Sequence, residues 1–423
     1  MLVYKFGGAS IADAKRMKAL LPIIREAREP LLIVVSALGK TTNMLEHIVN
    51  QACLGEMDEA MAQVEQLKQQ HLDYALALLD EENYAHEAFD LNNYFIVLEN
   101  AVKKADATSY DYSYDQVVSM GELLSSGLLS CLLHQQRIPT AYIDIRTVIR
   151  TDDTYRDAVI DWDFSAAKAK EIIAPQLQQG KIVVTQGFIG ATADNHSVTL
   201  GREGSDYTAA ILAAMLGAKS VTIWKDVEGL QNADPKQFPD TVKIDAISYN
   251  EVIEMAFYGA QIIHPKTIKP LQNHDIPLYV KCFLDSKLSG TVIQSEVNNI
   301  TYPPLIALKE NQVLMQVTTR DFSFITEDNL SRLYSIFHTL KIKVNLIQNA
   351  AISFVACVDN REDKVKELIQ SLGTDYKVTI NEKVNLLTIR HYTPEIMSSL
   401  TGDKQILLRQ ETRKTVQLVY LNK

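Results

Sequence analysis

Short apolar runs alternate with stretches of helical periodicity over residues 1–295 of the chain. The runs Leu2 to Phe6, Leu31 to Val35, Ala141 to Ile145, Ile182 to Gln186, Ser220 to Trp224 and Leu278 to Lys281 have the length of buried strands. Glycine or proline bounds them and helical segments separate them, which predicts a mainly parallel sheet covered by helices on both faces. The predicted fold class of this region is therefore α/β. Residues 42–130 carry Leu, Met and Ala at helical spacing among Gln and Glu, and read as a helical insertion beside the sheet.

The pattern breaks at residues 298–304, because Pro303-Pro304 can continue neither a helix nor a central strand. A domain boundary is expected there, dividing residues 1–297 from residues 304–423. Beyond it, Gln312 to Thr319 reads as a strand, Glu327 to Leu340 as a helix, and Val344 to Gln348 and Ile352 to Val358 as strands. Glu362 to Leu372 then reads as a helix and Tyr376 to Ile380 as a strand. That is one complete β-α-β-β-α-β unit of ferredoxin-like, α+β type over about residues 312–380. Residues 384–423 give strand, helix, strand, strand, too few elements for a second complete unit, and the orphan strand Leu305 to Leu308 is a candidate for a missing place.

Composition narrows the classes of function. The formal net charge is −10 and basic residues are scattered, which argues against nucleic acid as a partner. Cys53, Cys131, Cys282 and Cys357 lie far apart without metal-ligand spacing, as expected of incidental thiols in a reducing compartment. The start of the chain shows no cationic segment followed by an apolar one, and no apolar run reads as membrane-spanning, so a soluble, cytoplasmic protein is expected.

Four constellations carry candidate chemistry. In Lys5-Phe6-Gly7-Gly8-Ala9-Ser10, at a strand-to-helix junction, two glycines admit an anion close to the backbone and Lys5 adds charge. The same dipeptide also serves as a plain tight turn. A second small, hydroxyl-rich turn, Val34 to Asn43, follows the next strand, so the two would face one cleft. The third is Thr199-Leu200-Gly201-Arg202-Glu203-Gly204-Ser205-Asp206-Tyr207, before an alanine-rich helix expected near Thr208. Arg202 offers a planar fork for a carboxylate, and Asp206 can orient lysines or a metal-bound phosphate. A helix cap at Ser205 or Asp206 with a surface arginine is the plainer alternative. The fourth is Trp224 to Gly229 with Ala233 to Lys236, a strand end leading into a polar loop, where nucleotides are often gripped.

With these stretches, Gly121-Glu122, and Ser248 to Pro265 containing Phe257-Tyr258-Gly259-Ala260 and His264-Pro265, the chain resembles the aspartate kinase branch of the amino-acid kinase family over nearly its whole length. The resemblance implies ATP-dependent phosphorylation of the side-chain carboxylate of L-aspartate, the opening reaction of lysine, threonine, methionine and diaminopimelate biosynthesis, in a monofunctional form. It implies that Lys5 stabilises the transferring phosphoryl group and that Asp206 organises the site. Arg202 and Glu122 would meet the α-carboxylate and α-amino group of the substrate, with Ser36, Thr42, Gly204 and Ser205 as further substrate contacts. Gly7, Gly8, Ser10, Lys225, Asp226, Gln231, Lys236 and Gln261 would surround ATP, and Mg²⁺ would come with the nucleotide rather than on protein side chains. His264 reads as structural.

The tail is similar to the paired ACT units of aspartate kinases. That likeness implies a homo-oligomer, dimer or larger, and an amino-acid effector pocket near Phe324, Thr326, Asn329, Leu330, Val344 and Asn345; a tail serving dimerisation alone is the simpler possibility. The chain departs from the family pattern at Ala9 (usually threonine), Glu203 (commonly glycine), Gln261 (a lysine that reaches phosphates), Lys225 (usually threonine), Gln231 (often aromatic) and Lys236 (arginine). Lys225 is a candidate to replace the charge missing at Gln261. Kinases of glutamate, acetylglutamate, carbamate or nucleotides generally lack the tail and the Gly121-Glu122 element. A non-catalytic ACT-bearing protein has only Gln261 in its favour.

Overall fold

The computed structural model describes residues 1–260, 262–297, 301–321, 323–373 and 375–422, so Gln261 and Asn298, where the expected boundary begins, lie outside the described residues. Two units are distinguished. The first comprises Met1–Leu230, Lys243–Ile253 and Ile263–Asn299; the second comprises Gln231–Val242, Glu254–Ile262 and Ile300–Lys423.

The first unit is built on a sheet of Leu2–Phe6 (β1), Leu31–Val35 (β2), Thr140–Ile143 (β3), Ile182–Gln186 (β4), Ser220–Lys225 (β5), Ala246–Ser248 (β6), Leu278–Cys282 (β7) and Thr291–Gln294 (β8). Its order is β6-β8-β7-β5-β1-β2-β4-β3, and every neighbouring pair is parallel except β7 with β8. All five residues of β2 are buried, which is why this strand reads as an unbroken apolar run. β3 stops earlier than its sequence suggests. Asp144 accepts the backbone N–H of Arg146 at 3.0 Å and turns Ile145–Thr147 into a 3₁₀ segment. β6 and β8 are too short to stand out as a hydrophobic pattern.

Helices Thr41–Cys53, Met57–Leu78, Glu81–Lys103, Tyr110–Val118 and Met120–Gln135 form the insertion. Met57–Leu78 buries Ala60, Val64, Leu67, His71, Ala75 and Leu78, one stripe at helical spacing. Asp80 caps the next helix by accepting the Asn83 N–H at 3.0 Å, a device worth ~1 kcal/mol. The helical stretch Ala107–Gln135 is long and apolar enough to cross a membrane, contrary to the reading of the sequence, but most of its apolar residues are buried inside the protein. Its hydrophobicity belongs to the core, since Met120–Gln135 is buried nearly all round.

The second unit centres on an antiparallel sheet of Leu305–Thr319 (β9), Val344–Asn349 (β10), Ser353–Asp359 (β11), Tyr376–Arg390 (β12), Lys404–Glu411 (β13) and Thr415–Asn422 (β14), in the order β10-β11-β9-β12-β14-β13. Helices Glu327–Thr339 and Glu362–Leu372 pack Leu333, Phe337, Val365 and Leu368 against Val313, Met315, Val317 and Phe354. Full burial stabilises each large side chain by roughly 2 kcal/mol.

The tail differs from the sequence reading in one instructive way. Leu305 to Leu308 and Gln312 to Thr319 are parts of a single strand, as are the Tyr376 to Ile380 segment and the strand that follows it. Lys309-Glu310-Asn311 and Asn381-Glu382-Lys383 look like breaks. They are an irregularity in the β9–β12 ladder, with the register shifting near Gln312 and left-handed backbone at Asn311 (φ 52°) and Lys383 (φ 55°). Leu305 pairs with Arg390 and Leu308 with Leu387, so the orphan strand lies beside the later part of β12 in the same sheet. Helix Pro394–Thr401 covers that half, beside Ile306, Leu387, Ile389 and Val416.

Candidate active site

β1 is flanked by β2 and β5, with Lys5 opposite Val34 on one side and Ile223 on the other. The sheet order reverses here: the chain passes from β1 to β2 in one direction and later returns to β5 in the other. Loops leaving parallel strands at such a switch point diverge and leave a crevice beyond the carboxyl ends. The Gly7-Gly8 turn, the Ser36 to Asn43 turn and Lys225-Asp226 all leave from these three strand ends. The two turns touch. A Cβ on Gly8 would lie 2.7 Å from the Ala37 carbonyl oxygen, so no larger residue fits there.

A cavity of about 250 Å³ opens at this place, lined by Lys5, Gly8, Ser36, Thr42, Glu122, Gly204, Ser205 and Asp206 from the expected set. Lys5 Nζ lies 2.7 Å from Asp206 Oδ1, and both side chains are almost wholly buried. Burial alone would push Asp206 up, but the ammonium groups of Lys5 and Lys225, with the hydrogen bond from Lys5, hold it below the usual carboxylate range. Lys225 thus acts electrostatically on the cleft, although it does not line the cavity.

Glu122 lines the same cavity. Its Oε1 accepts the Ala37 N–H at 3.2 Å, while Oε2 is buried with no hydrogen-bond partner. Desolvation pushes its carboxyl up to about 8, against the hydrogen bond from Ala37 and the charge of Lys5. Gly121 is needed beside it, because a Cβ there would stand 2.9 Å from that of Ala37. The helix that follows the third motif begins at Gly204 rather than Thr208 (Gly204–Leu216), which puts Ser205 and Asp206 in its first turn. Its N-terminal N–H groups are then available to an anion in the cleft.

Other expected residues stand elsewhere. Ser10 is buried and its hydroxyl donates to the Trp224 carbonyl at 3.1 Å, tying the first turn to β5 instead of facing the cavity. Gly7 adjoins the cleft, since a Cβ there would lie 3.4 Å from Lys5 Nζ. Arg202 is exposed on the turn before the helix and is not among the lining residues; Asp226 is exposed as well. Gln231 and Lys236 belong to the second unit, where Lys236 is exposed and its N–H donates to Asp234.

Three features went unread in the sequence. Ala37, Gly39, Phe188 and Glu203 complete the lining. Glu203 has φ 54°, and its carboxylate accepts the backbone N–H of His264 at 2.9 Å, which brings the His264-Pro265 motif to the helix start. His264 itself accepts from the Lys266 N–H and caps helix Pro265–Asn273, a structural role. Asp115, fully buried, accepts from Thr199 N at 2.9 Å, Thr199 Oγ1 at 2.7 Å and Arg156 N at 3.0 Å, anchoring the segment that leads into Gly201. Burial pushes its carboxyl up to about 6.

Of the expected effector residues, Phe324 is 72% exposed, while Leu330 and Val344 pack against the core of the second unit. Thr326 caps helix Glu327–Thr339 with Asn329, whose amide donates to Tyr376 Oη at 2.9 Å. Asn345 is buried, donating to Gln312 and Asp359 and accepting from Lys309 Nζ at 2.7 Å.

Residues 1–282 match the model of the amino acid kinase family, and the chain belongs to that family. Within it, the likeness is to aspartokinases. The lysine-sensitive aspartokinase 3 of Escherichia coli is 32% identical over 403 residues, 92% of this chain and 86% of that protein. The crystal structure of E. coli aspartokinase III with aspartate and ADP superposes with a TM-score of 0.82 at 28% identity, covering 99% of this chain and 96% of that one. The same enzyme with lysine and aspartate gives 0.79 at 28% identity, covering 99% and 95%.

Proposed function

We propose that the cleft beyond β1 and β2 is where the side-chain carboxylate of L-aspartate receives the γ-phosphoryl group of ATP. The reaction is that of the aspartokinases: the carboxylate oxygen bonds to the γ-phosphorus, the bond to ADP breaks, and aspartyl phosphate and ADP leave. Both reactants are anions, so the protein must mainly position them and offset their charge. Lys5, oriented by Asp206, supplies that charge where the phosphoryl group passes. The helix N-terminus at Gly204 and the Gly7-Gly8 turn add N–H donors.

The observation that carries this reading is the orphaned Oε2 of Glu122, buried in the same cavity as the Lys5–Asp206 pair. A buried carboxyl oxygen without a donor is costly unless a ligand supplies one. The α-ammonium of an amino acid does so, and the side-chain carboxylate of that amino acid can then point towards Lys5. Ser36, Thr42 and Ser205 offer hydroxyls around it, and Arg202 is the candidate for the α-carboxylate from the rim.

Lys225 and Asp226, at the end of β5, are assigned to the nucleotide. Among the described residues no group of three or more His, Cys, Asp or Glu side chains is placed to hold a metal ion. In this reading Mg²⁺ enters as MgATP, held by phosphate oxygens and water. The ACT-type tail is assigned an amino-acid effector and a role in homo-oligomerisation; the E. coli structure with lysine and aspartate supports the first. The expected compartment is the cytoplasm.

Hydroxylamine trapping tests the reaction. It converts an acyl phosphate to a hydroxamate, so purified protein with MgATP and L-aspartate should yield aspartyl hydroxamate. ADP without hydroxamate would mean that water, not the carboxylate, takes the phosphoryl group.

A further inference from the structure

A cavity of about 390 Å³ lies in the helical insertion, between helix Glu81–Lys103, helix Met120–Gln135 and β3. Neither the motifs nor the phosphoryl-transfer reading uses it. Glu87 is only 5% exposed and lines this cavity. Its one hydrogen-bonding neighbour among the described residues is the Cys131 thiol, whose sulfur also sits 3.7 Å from the Asn83 carbonyl. A thiol has a single weak proton to give, so it is a poor partner for an ionised carboxylate. Asp90 stands one turn further along the same helix, Tyr94 and Tyr142 supply aromatic surface, and no lysine or arginine lines the cavity.

We propose that this cavity is a binding site for a small organic ammonium ion, an aliphatic amine without a carboxylate. The ammonium would pair with Glu87, with Asp90 reinforcing the field and the alkyl chain against Tyr94 and Tyr142. Two carboxylates and no lysine or arginine make the site hostile to nucleotides and weak for amino acids, whose carboxylate would find no fixed positive partner. Gly127 is part of the design. A Cβ there would stand 3.0 Å from Glu87 Oε1 and crowd the carboxylate.

The pH dependence follows from the same groups. Burial, then the charge of Asp90, push Glu87 up to about 7, against the thiol of Cys131. An ammonium ion binds the ionised form, so affinity should rise as pH goes from about 6 to about 8. His86 and His134 also line the cavity, with His86 Nδ1 3.7 Å from Asp90 Oδ2.

The test is calorimetric titration of the full-length protein with putrescine and with butylamine, each at about pH 6 and about pH 8, and of Glu87→Gln. Saturable binding, tighter at the higher pH and weakened about tenfold or more by Glu87→Gln, is expected from the loss of a charge-assisted contact. Phosphorylation of aspartate measured without amine should be unchanged in that variant. If Glu87→Gln does not fold, Gly127→Ala serves, with weaker amine binding expected. Absence of saturable binding to the wild type at millimolar amine, or unchanged affinity in the folded variant, would overturn the proposal.

Discussion

Glu122→Gln isolates the group on which substrate recognition is argued to turn. The amide keeps a carbonyl oxygen for the Ala37 N–H and nearly the same volume, so packing should survive. What it removes is the charge that an α-ammonium would meet. A charge-assisted hydrogen bond in a buried site is worth about 1.5–3 kcal/mol, which predicts a rise of roughly ten- to a hundredfold in KM for aspartate. KM for MgATP should move far less. The raised carboxyl adds a second signature. With its protonation centred at about 8 in the free protein, only about a tenth of molecules carry ionised Glu122 near pH 7, and nearly all do near pH 9. The wild-type KM for aspartate should therefore fall about tenfold across that interval, and Glu122→Gln should abolish the Glu122-dependent part of this change. The stability effect has the opposite sign. A carboxyl whose folded value lies above its ordinary 4.5 binds a proton more tightly when folded, so its contribution is present at low pH and declines as pH rises towards about 8. Glu122→Gln should flatten that decline in denaturant midpoints. The assay is coupled ADP release at saturating MgATP over the pH range. An unchanged KM for aspartate, or a larger effect on ATP, would refute the assignment of Glu122 to the ammonium group.

Lys5→Ala should lower kcat by about two to three orders of magnitude with an intact fold, because the ammonium acts on charge that grows in the transition state; near-normal kcat would remove Lys5 from the phosphoryl path. Lys225→Thr should raise KM for MgATP several-fold, since its charge reaches the cleft through Asp206, and Gln261→Lys in the same chain should restore it substantially. Wild-type kinetics for Lys225→Thr would end the idea that it compensates for Gln261. Inhibition by an amino acid, with threonine and lysine tried first, should be cooperative and disappear on removal of residues 304–423; indifference to every common amino acid at millimolar concentration would leave the tail a dimerisation role.

The central sheet was legible because its strands are buried on both faces and so are continuous in apolarity, as in Leu31–Val35. The short strands Ala246–Ser248 and Thr291–Gln294 were not, since three or four residues give no period to read. In the tail, polar Lys309 to Asn311 hid the continuity of a strand, because a bulge places such residues in a ladder without a hydrophobic signature. Site residues on glycine-rich turns could be read from local chemistry. Asp115 could not: its partners Thr199 and Arg156 are remote in sequence, and an aspartate inside a tyrosine-rich helix carries no mark of burial. The Glu203–His264 contact joins two motifs that were read separately, and only the fold brings them together.

The most direct test of the whole account is ADP release by the purified full-length protein with MgATP and, in turn, L-aspartate, L-glutamate, N-acetylglutamate and no acceptor. The cleft described here, with a single ammonium-binding carboxylate close to Lys5, predicts sustained release with L-aspartate and only background with the others. Turnover favouring glutamate or acetylglutamate, or release no faster with L-aspartate than without it, would contradict the account.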